Sequence, residues 1–208
     1  MLTRRTLLAG AVAMPGVPRS SPLRFHLRRD GSWIGTHVIR FERGTNRTNI
    51  AIAVDIAVRF GPLVLYRYKL RGREHWEGGR CMAASAAAND DGTRHFMRAT
   101  RRNGALLVEG SGTAPYAAPA GAVIASHWNE AELHGPWINL QDGKLLHPRV
   151  TPLGSDPVRL ANGTLLPASC YSITGPANIR IWYTPSATWT GLVFVARDGS
   201  HVRYERVS

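Results

Sequence analysis

The densest group of residues able to do acid–base or metal chemistry lies in the second half of the chain. Its members are His127, Trp128, Asn129, Glu130, Glu132 and His134. If this stretch is helical, Glu130 and His134 share one face, a spacing that suits a metal-ligand pair, an acid–base pair or an ordinary ion pair. One carboxylate and one imidazole are few ligands for a metal, so we predict neither a metal nor another cofactor.

A second candidate for chemistry is His37. Period-two alternation places it on the same strand face as Trp33, Ile39 and Phe41. Either it is a buried core histidine or it joins His127 as a further polar member of one site. The second reading requires the two histidines to lie close together in one cleft.

A charged run, Arg73-Glu74-His75-Trp76, lies near the predicted end of another strand. We expect Glu74 to form an exposed ion pair with Arg71 or Arg73, an arrangement that stabilises little. The same carboxylate could instead orient the headgroup of a ligand.

Motifs of common enzyme classes are missing from the sequence. Gly110-Ser111-Gly112 does not fit the nucleophile elbow of serine hydrolases, and there is no phosphate loop or dinucleotide fingerprint. Cys81 and Cys170 have no C-x-x-C partner, so they are either buried thiols or the two halves of one long-range disulfide. The sequence identifies no catalytic site and favours a non-enzymatic protein.

The elements that position these residues are strands. From Ile50 to Phe60 every second residue is apolar and large, which predicts a strand with one buried face. Six dipeptides typical of tight hairpins separate such runs: Asp30-Gly31, Asp91-Gly92, Asn103-Gly104, Asp142-Gly143, Asn162-Gly163 and Asp198-Gly199. We expect strands at about 23–29, 33–43, 48–60, 63–74, 79–87, 93–102, 105–110, 145–152, 157–161, 164–174, 178–184, 190–197 and 200–206.

These strands predict an all-β fold, in which a long, twisted antiparallel meander forms a half-barrel or open barrel. One short helix is expected from His127 to Leu133, capped by Ser126. Parallel pairing is not expected, because crossover helices are missing.

Aromatic residues on these strands could line the concave face of a half-barrel and bind an apolar or amphipathic molecule. They are Trp33, Tyr66, Tyr68, Trp182, Tyr183 and Trp189, with Trp128 either joining them or plugging the end of the barrel. A packed core is the alternative reading of the same residues.

The first fourteen residues are typical of an export signal. Arg4 and Arg5 precede a short run of small and apolar residues, as in twin-arginine signals, which implies the twin-arginine export machinery as a partner and a periplasmic or extracellular location. A linker at 15–22 then leads into a single β domain at 23–208. No later apolar run is long enough to predict stable membrane insertion.

The chain is basic, with 26 Lys and Arg residues against 14 Asp and Glu residues, and only Lys69 and Lys144 are lysines. The arginines are scattered, whereas a nucleic-acid reader concentrates them in a recognisable module, so no nucleic-acid partner is predicted. They either form a solvated strand face or attract an anionic envelope polymer or a lipid-like ligand.

Several short motifs resemble an uncharacterised family of exported bacterial proteins, known only as a domain of unknown function. They are Asp30-Gly31, Ile34-Gly35-Thr36-His37, Tyr66-Arg67-Tyr68, Arg73-Glu74-His75-Trp76 with Gly79-Arg80, Asp90-Asp91-Gly92, Ser126-His127-Trp128-Asn129, Gly143-Lys144-Leu145, Ile181-Trp182-Tyr183, Trp189 and Gly191-Leu192. The Trp-Tyr strand and the closing hairpin are more distantly similar to periplasmic lipoprotein-carrier half-barrels. Cys81 departs from the family, in which an aliphatic residue is expected.

Two hypotheses of function follow. The first is a non-catalytic envelope protein that binds an apolar or amphipathic molecule in its curved sheet. The alternative is an envelope enzyme that acts on glycan or lipid through His127, Glu130 and His134, with His37 as a fourth member.

Overall fold

The computed structural model describes residues 21–175, 178–196 and 198–208. The predicted export signal, with Arg4 and Arg5, and most of the predicted linker lie outside these residues. The described chain is almost entirely β-structure, which confirms the predicted fold class. No helix in these ranges is long and apolar enough to cross a membrane.

The strands of the first half follow one another as hairpins. They are β1 (Leu23–Arg29), β2 (Ser32–Arg43), β3 (Arg47–Phe60), β4 (Leu63–Glu77), β5 (Arg80–Asp90), β6 (Thr93–Arg102), β7 (Ala105–Gly110) and β8 (Thr113–Ala117). The second half contains β9 (Val123–Ala125), a 3₁₀ turn (Glu130–Leu133), β10 (Trp137–Asn139), β11 (Leu145–Leu146), β12 (Arg149–Ser155), β13 (Val158–Arg159), β14 (Leu165–Leu166), β15 (Ser169–Thr174), β16 (Ile179–Tyr183), β17 (Trp189–Val195) and β18 (His201–Arg206).

One antiparallel sheet of 13 strands dominates the structure, in the order β12-β15-β16-β17-β18-β1-β2-β3-β4-β5-β6-β7-β8. The two halves of the chain meet where β18 pairs with β1, with Phe25 opposite Arg206. Strands β12 and β8 are the two edges, so the sheet stays open and does not close into a barrel.

Three of the six expected hairpin dipeptides adopt the predicted backbone. Asp30-Gly31, Asp91-Gly92 and Asn103-Gly104 have positive φ at both residues, as two-residue type I′ turns require. In the other three pairs only the glycine has positive φ. Two-residue turns therefore set the register of β1–β2, β5–β6 and β6–β7.

The sheet has an inner face and an outer face, which differ in what covers them. Alternate residues of β3 and β4 are buried, and they pack beneath residues 118–148, here called the covering segment. Six of its buried residues belong to the main core: Ile124, Trp128, Leu133, Trp137, Ile138 and Leu140. Within the covering segment β9 pairs in parallel with β10 over three residues, contrary to the expectation of no parallel pairing.

The two cysteines lie in separate apolar clusters. Cys81 belongs to the main core, whereas Cys170 packs with Trp182 and Val158 in a smaller cluster. Both are buried free thiols, so the disulfide that the sequence allowed is not formed. Burial raises the pKa of Cys81 from 9.0 to about 12 and that of Cys170 to about 11, which keeps both thiols protonated and unreactive at neutral pH.

We therefore expect thiol reagents to leave the native protein unlabelled and to label both cysteines after unfolding. Addition of a reductant should leave the melting temperature unchanged, because there is no cross-link to break. Intact-mass spectrometry after treatment with a thiol reagent measures the labelling, and thermal unfolding with and without reductant measures the melting temperature. A native mass two hydrogens below the reduced value would contradict the free-thiol assignment.

Candidate functional site

Two buried carboxyl groups join the sheet to the covering segment. Glu74 is on the inner face of β4 and only 2% exposed, and Glu132 lies in the 3₁₀ turn of the covering segment and is 0% exposed. Burying an ionisable group is unfavourable unless hydrogen bonds compensate, so the partners of each carboxyl group decide how the interface is arranged.

Glu74 belongs to the sheet and receives hydrogen bonds from two indoles. Trp76 Nε1 donates to Glu74 Oε2 at 2.7 Å, and Trp128 Nε1 of the covering segment donates to the same oxygen at 3.2 Å. The second oxygen, Oε1, is buried and has no hydrogen-bond partner. The two indole rings meet edge to face, with centroids 5.3 Å apart.

Burial raises the pKa of Glu74 from 4.5 to about 7, and the nearby hydroxyl of Ser126 and the indole N–H groups of Trp76 and Trp128 oppose that rise. The nearby carboxyl group of Glu132 adds to it. The exposed ion pair expected for Glu74 is therefore wrong. Period two explains the difference, because Glu74 shares the inward phase of Leu70, Gly72 and Trp76.

Glu132 belongs to the covering segment and contacts the sheet through Tyr183 of β16. The Tyr183 hydroxyl lies 2.7 Å from Glu132 Oε1 and 2.8 Å from the carbonyl oxygen of His127. His127 Nδ1 lies 3.0 Å from Glu132 Oε1, and its backbone N–H donates to Oε2 at 3.2 Å. Burial, followed by the charge of Glu132, raises the pKa of Tyr183 well above 10.0, so the phenol stays protonated as a donor.

The predicted helix is shorter than expected. His127 has a φ of 69°, which a right-handed helix cannot accommodate, and the 3₁₀ turn begins only at Glu130. Asn129, not Ser126, is the cap, and its side chain accepts a hydrogen bond from the backbone N–H of Ala131. Of the predicted pair, Glu130 is half-buried and His134 is exposed. Burial raises the pKa of Glu130, and the charge of His134 opposes that rise.

His37 and His127 do lie on the same side of the sheet, because both contact Trp189. The ring centroid of His37 is 5.2 Å and that of His127 is 5.3 Å from the indole of Trp189. His37 is 5% exposed, and neither of its ring nitrogens has a hydrogen-bond partner. Burial, followed by the charge of His127, lowers the pKa of His37 from 6.5 to about 3.

The pair of Glu132 and His127 has the chemistry of an oriented general base. In the tautomer with the ring proton on Nδ1, this nitrogen donates a hydrogen bond to Glu132 Oε1, and Nε2 is left as an acceptor. His127, Glu132 and His37 line none of five cavities of 280 to 640 Å³ on the described residues. Within the same residues no three His, Cys, Asp or Glu side chains are grouped to hold a metal ion.

The aromatic residues predicted to line one concave wall are divided among different environments. Trp128, Tyr183 and Trp189 are fully buried in the core. Trp33 is 60% exposed, and Trp182 lies in the smaller cluster with Cys170. The half-buried hydroxyls of Tyr66 and Tyr68 donate to Asp90 and Gln141 at 2.8 and 3.0 Å. The inner face is thus filled by side chains along most of its length.

A cavity of 280 Å³ remains where β4 to β7 meet the start of the covering segment. Its walls are largely apolar and include Trp76, Cys81, Leu106, Ile124 and Trp128. Arg80 and Arg101 lie on its rim: Arg101 donates to the backbone oxygens of Cys81 and Gly104, each at 2.8 Å, and the exposed Arg80 has no ion-pair partner among the described residues. An apolar cavity with a guanidinium at its mouth suits an amphipathic anion.

These features define an open, barrel-like, all-β domain whose inner face is covered by one chain segment. The sequence matches the family described as a domain of unknown function (DUF6134) over residues 25–207, and the chain belongs to that family. A solved structure with a similar fold is a beta-barrel-like protein of a domain of unknown function, DUF1849, from Brucella abortus. The identity is 8% and the TM-score 0.60, covering 90% of this chain and 95% of the other. No curated protein matches the sequence.

We expect the Glu74→Gln substitution to stabilise the protein at neutral pH. The folded protein holds the Glu74 proton up to about pH 7, whereas the unfolded chain releases it near 4.5, so this group lowers stability as the pH rises between those values. The difference in free energy of unfolding between the variant and the natural protein should grow across that pH window and level off above it. Urea unfolding at several pH values measures it, and a pH-independent difference would contradict the assignment.

His37 should make stability depend on pH in the opposite direction to Glu74. Its folded pKa is lowered to about 3, so stability is lost as the pH falls below 6.5, where the unfolded chain takes up a proton that the folded protein refuses. We expect His37→Phe to gain stability relative to the natural protein as the pH falls from 6.5 towards 4. His134→Phe, at an exposed position, is the control, and equal behaviour of the two variants would refute a buried neutral His37.

Proposed function

We propose that this protein is an exported, non-catalytic binding protein of the cell envelope that holds a small amphipathic anion. The observation that carries the proposal is the 280 Å³ cavity between the sheet and the covering segment. The apolar part of the ligand lies against Trp76, Trp128 and Leu106, and its acidic headgroup pairs with Arg80 at the rim.

The size and chemistry of the cavity support this proposal over an enzyme. Its volume is near the lower end of the range for small-ligand pockets, about 300 to 1,000 Å³. Burial keeps the thiol of Cys81 protonated, so the cavity offers no activated nucleophile. The enzyme alternative has one supporting observation, the His127–Glu132 pair, which opens into none of the five cavities described.

Export and a carrier role belong to the same proposal. The twin-arginine signal predicted at residues 1–14 would place the protein in the periplasm or outside the cell. A carrier role would also agree with the expectation from the sequence that the Trp-Tyr strand resembles those of lipoprotein-carrier half-barrels.

Decanoate and decanol, which share a chain and differ in charge, test the cavity by isothermal titration. We expect Ala122→Trp, at a half-buried position of the cavity wall, to abolish binding of both because the indole fills the volume. Arg80→Gln should weaken decanoate about tenfold and leave decanol unchanged, since one charge-assisted hydrogen bond is lost.

The control is Arg149→Gln, an exposed arginine on β12 outside the cavity. Circular dichroism establishes that each variant is folded. Decanoate binding that survives Ala122→Trp, or that falls equally in Arg149→Gln, would overturn the proposal.

A further inference from the structure

The outer face of the sheet, opposite the covering segment, carries arginines in register across five strands. Backbone pairing from β2 to β6 runs Arg40, Ala51, Arg73, Ser85 and Arg98. Since neighbouring strands lie about 4.8 Å apart, an arginine recurs about every 10 Å along this row. The small residue between each pair of arginines leaves space at the surface.

This row forms the centre of a groove. A cavity of 640 Å³ and one of 550 Å³ both contain all five residues of the row, and a third of 490 Å³ continues from Arg98 across β7 and β8. The adjoining floor consists of Ala53, Ala83 and Ala87. We call these three connected cavities the outer groove.

The outer groove is strongly basic. Five arginines line it: Arg40, Arg71, Arg73, Arg98 and Arg102. The exposed carboxylates in its lining are Glu42 and Glu109. Glu109 lies 3.5 Å from the Arg98 guanidinium, an exposed pair that stabilises little and that an anionic ligand can replace. In the neighbouring row, Asp55 pairs with Arg71 at 2.7 Å. Arg40 and Arg73 have no hydrogen-bond or ion-pair partner among the described residues. Their guanidinium groups are therefore available to an anion in solution.

Other side chains in the outer groove favour a sugar chain over a nucleic acid or a lipid surface. Phe96 is the exposed aromatic residue among those that line it, 43% exposed, with the Arg98 guanidinium 5.9 Å from its ring centroid. One ring suits the apolar face of a sugar, whereas single-stranded nucleic acids stack successive bases on several. Ser85, Asn49 and Thr100 offer hydrogen bonds to hydroxyl groups. A recessed groove also fits a chain better than a membrane surface.

We propose that the outer groove binds a linear acidic polysaccharide that carries one acidic group in each disaccharide repeat. The chain runs across the strands along the row, so that successive acidic groups meet Arg40, Arg73 and Arg98. Ser85 lies beneath the sugar between two of these contacts, and Phe96 packs against a sugar face. This site is on the opposite face of the sheet from the cavity proposed for an amphipathic anion, and the two bind independently.

A hyaluronan decasaccharide, which has one carboxylate per disaccharide, is the probe, and the same titration is made with neutral maltodecaose, oligo-dT and phosphatidylglycerol vesicles at one fixed salt concentration. We expect the natural protein to bind the decasaccharide more tightly than the other three. Arg73→Gln combined with Arg98→Gln should weaken it at least about tenfold, because two charge-assisted contacts are lost.

Two matched controls separate a built groove from general attraction between opposite charges. Arg24→Gln combined with Arg149→Gln removes the same charge from exposed positions outside the groove. It should change the affinity less than about threefold, because salt screens the interaction of the ligand with distant surface charges. Ser85→Trp keeps every charge but fills the groove and should abolish binding, whereas Ser85→Ala should retain it.

The proposal is overturned if the two double variants lose affinity equally, if Ser85→Trp binds as the natural protein does, or if oligo-dT or the vesicles bind more tightly than the decasaccharide. Arg80→Gln, at the separate cavity, should bind the decasaccharide normally. If the cavity fails to bind decanoate, the proposal for the outer groove still stands or falls on binding of the decasaccharide alone.

Discussion

The structure depends on the exchange of buried hydrogen bonds between the sheet and the covering segment. Glu74 of the sheet accepts a hydrogen bond from the indole of Trp128 in the covering segment. In return, Glu132 of the covering segment accepts a hydrogen bond from the phenol of Tyr183 in the sheet. Each contact is directional, whereas the apolar packing around it tolerates sliding. The covering segment has little regular structure of its own, so its position on the inner face depends on such contacts. Tyr68 and Tyr116 add hydrogen bonds from the sheet to Gln141 and to the backbone of Gly143.

This exchange also explains why the inner face is a core and not an open binding surface. Trp128 and Trp189 fill the space that a half-barrel would otherwise leave for a ligand. His37 is enclosed by Trp189, Phe25 and Tyr204. What remains accessible is the margin of the covering segment, where the small cavity lies, and the uncovered outer face. The two proposed ligands are therefore assigned to regions that the covering segment leaves free.

Much of the sheet could be predicted from local sequence, because alternation and turn residues act over a few positions. Strands β6 and β7 have the predicted bounds, and both are preceded by dipeptides that adopt positive φ. Strands β8, β9 and β10 were missed, since their 3 to 5 residues give too little alternation to recognise. The buried role of Glu74 could have been found from its phase on β4. That of Glu132 could not, because its partner Tyr183 lies 51 residues away.

The pairing of β1 with β18 places the first and last strands of the domain side by side in the middle of the sheet. Until β18 has been synthesised, one edge of β1 has no strand to pair with, and the eight-stranded meander that begins there cannot be joined to the other half. Pairing of these two strands closes a long loop between residues far apart in the sequence, a topology associated with slow folding. Exposed strand edges invite aggregation during that interval. A domain built only from neighbouring hairpins has no such interval, because each strand finds its partner as soon as the next strand is made.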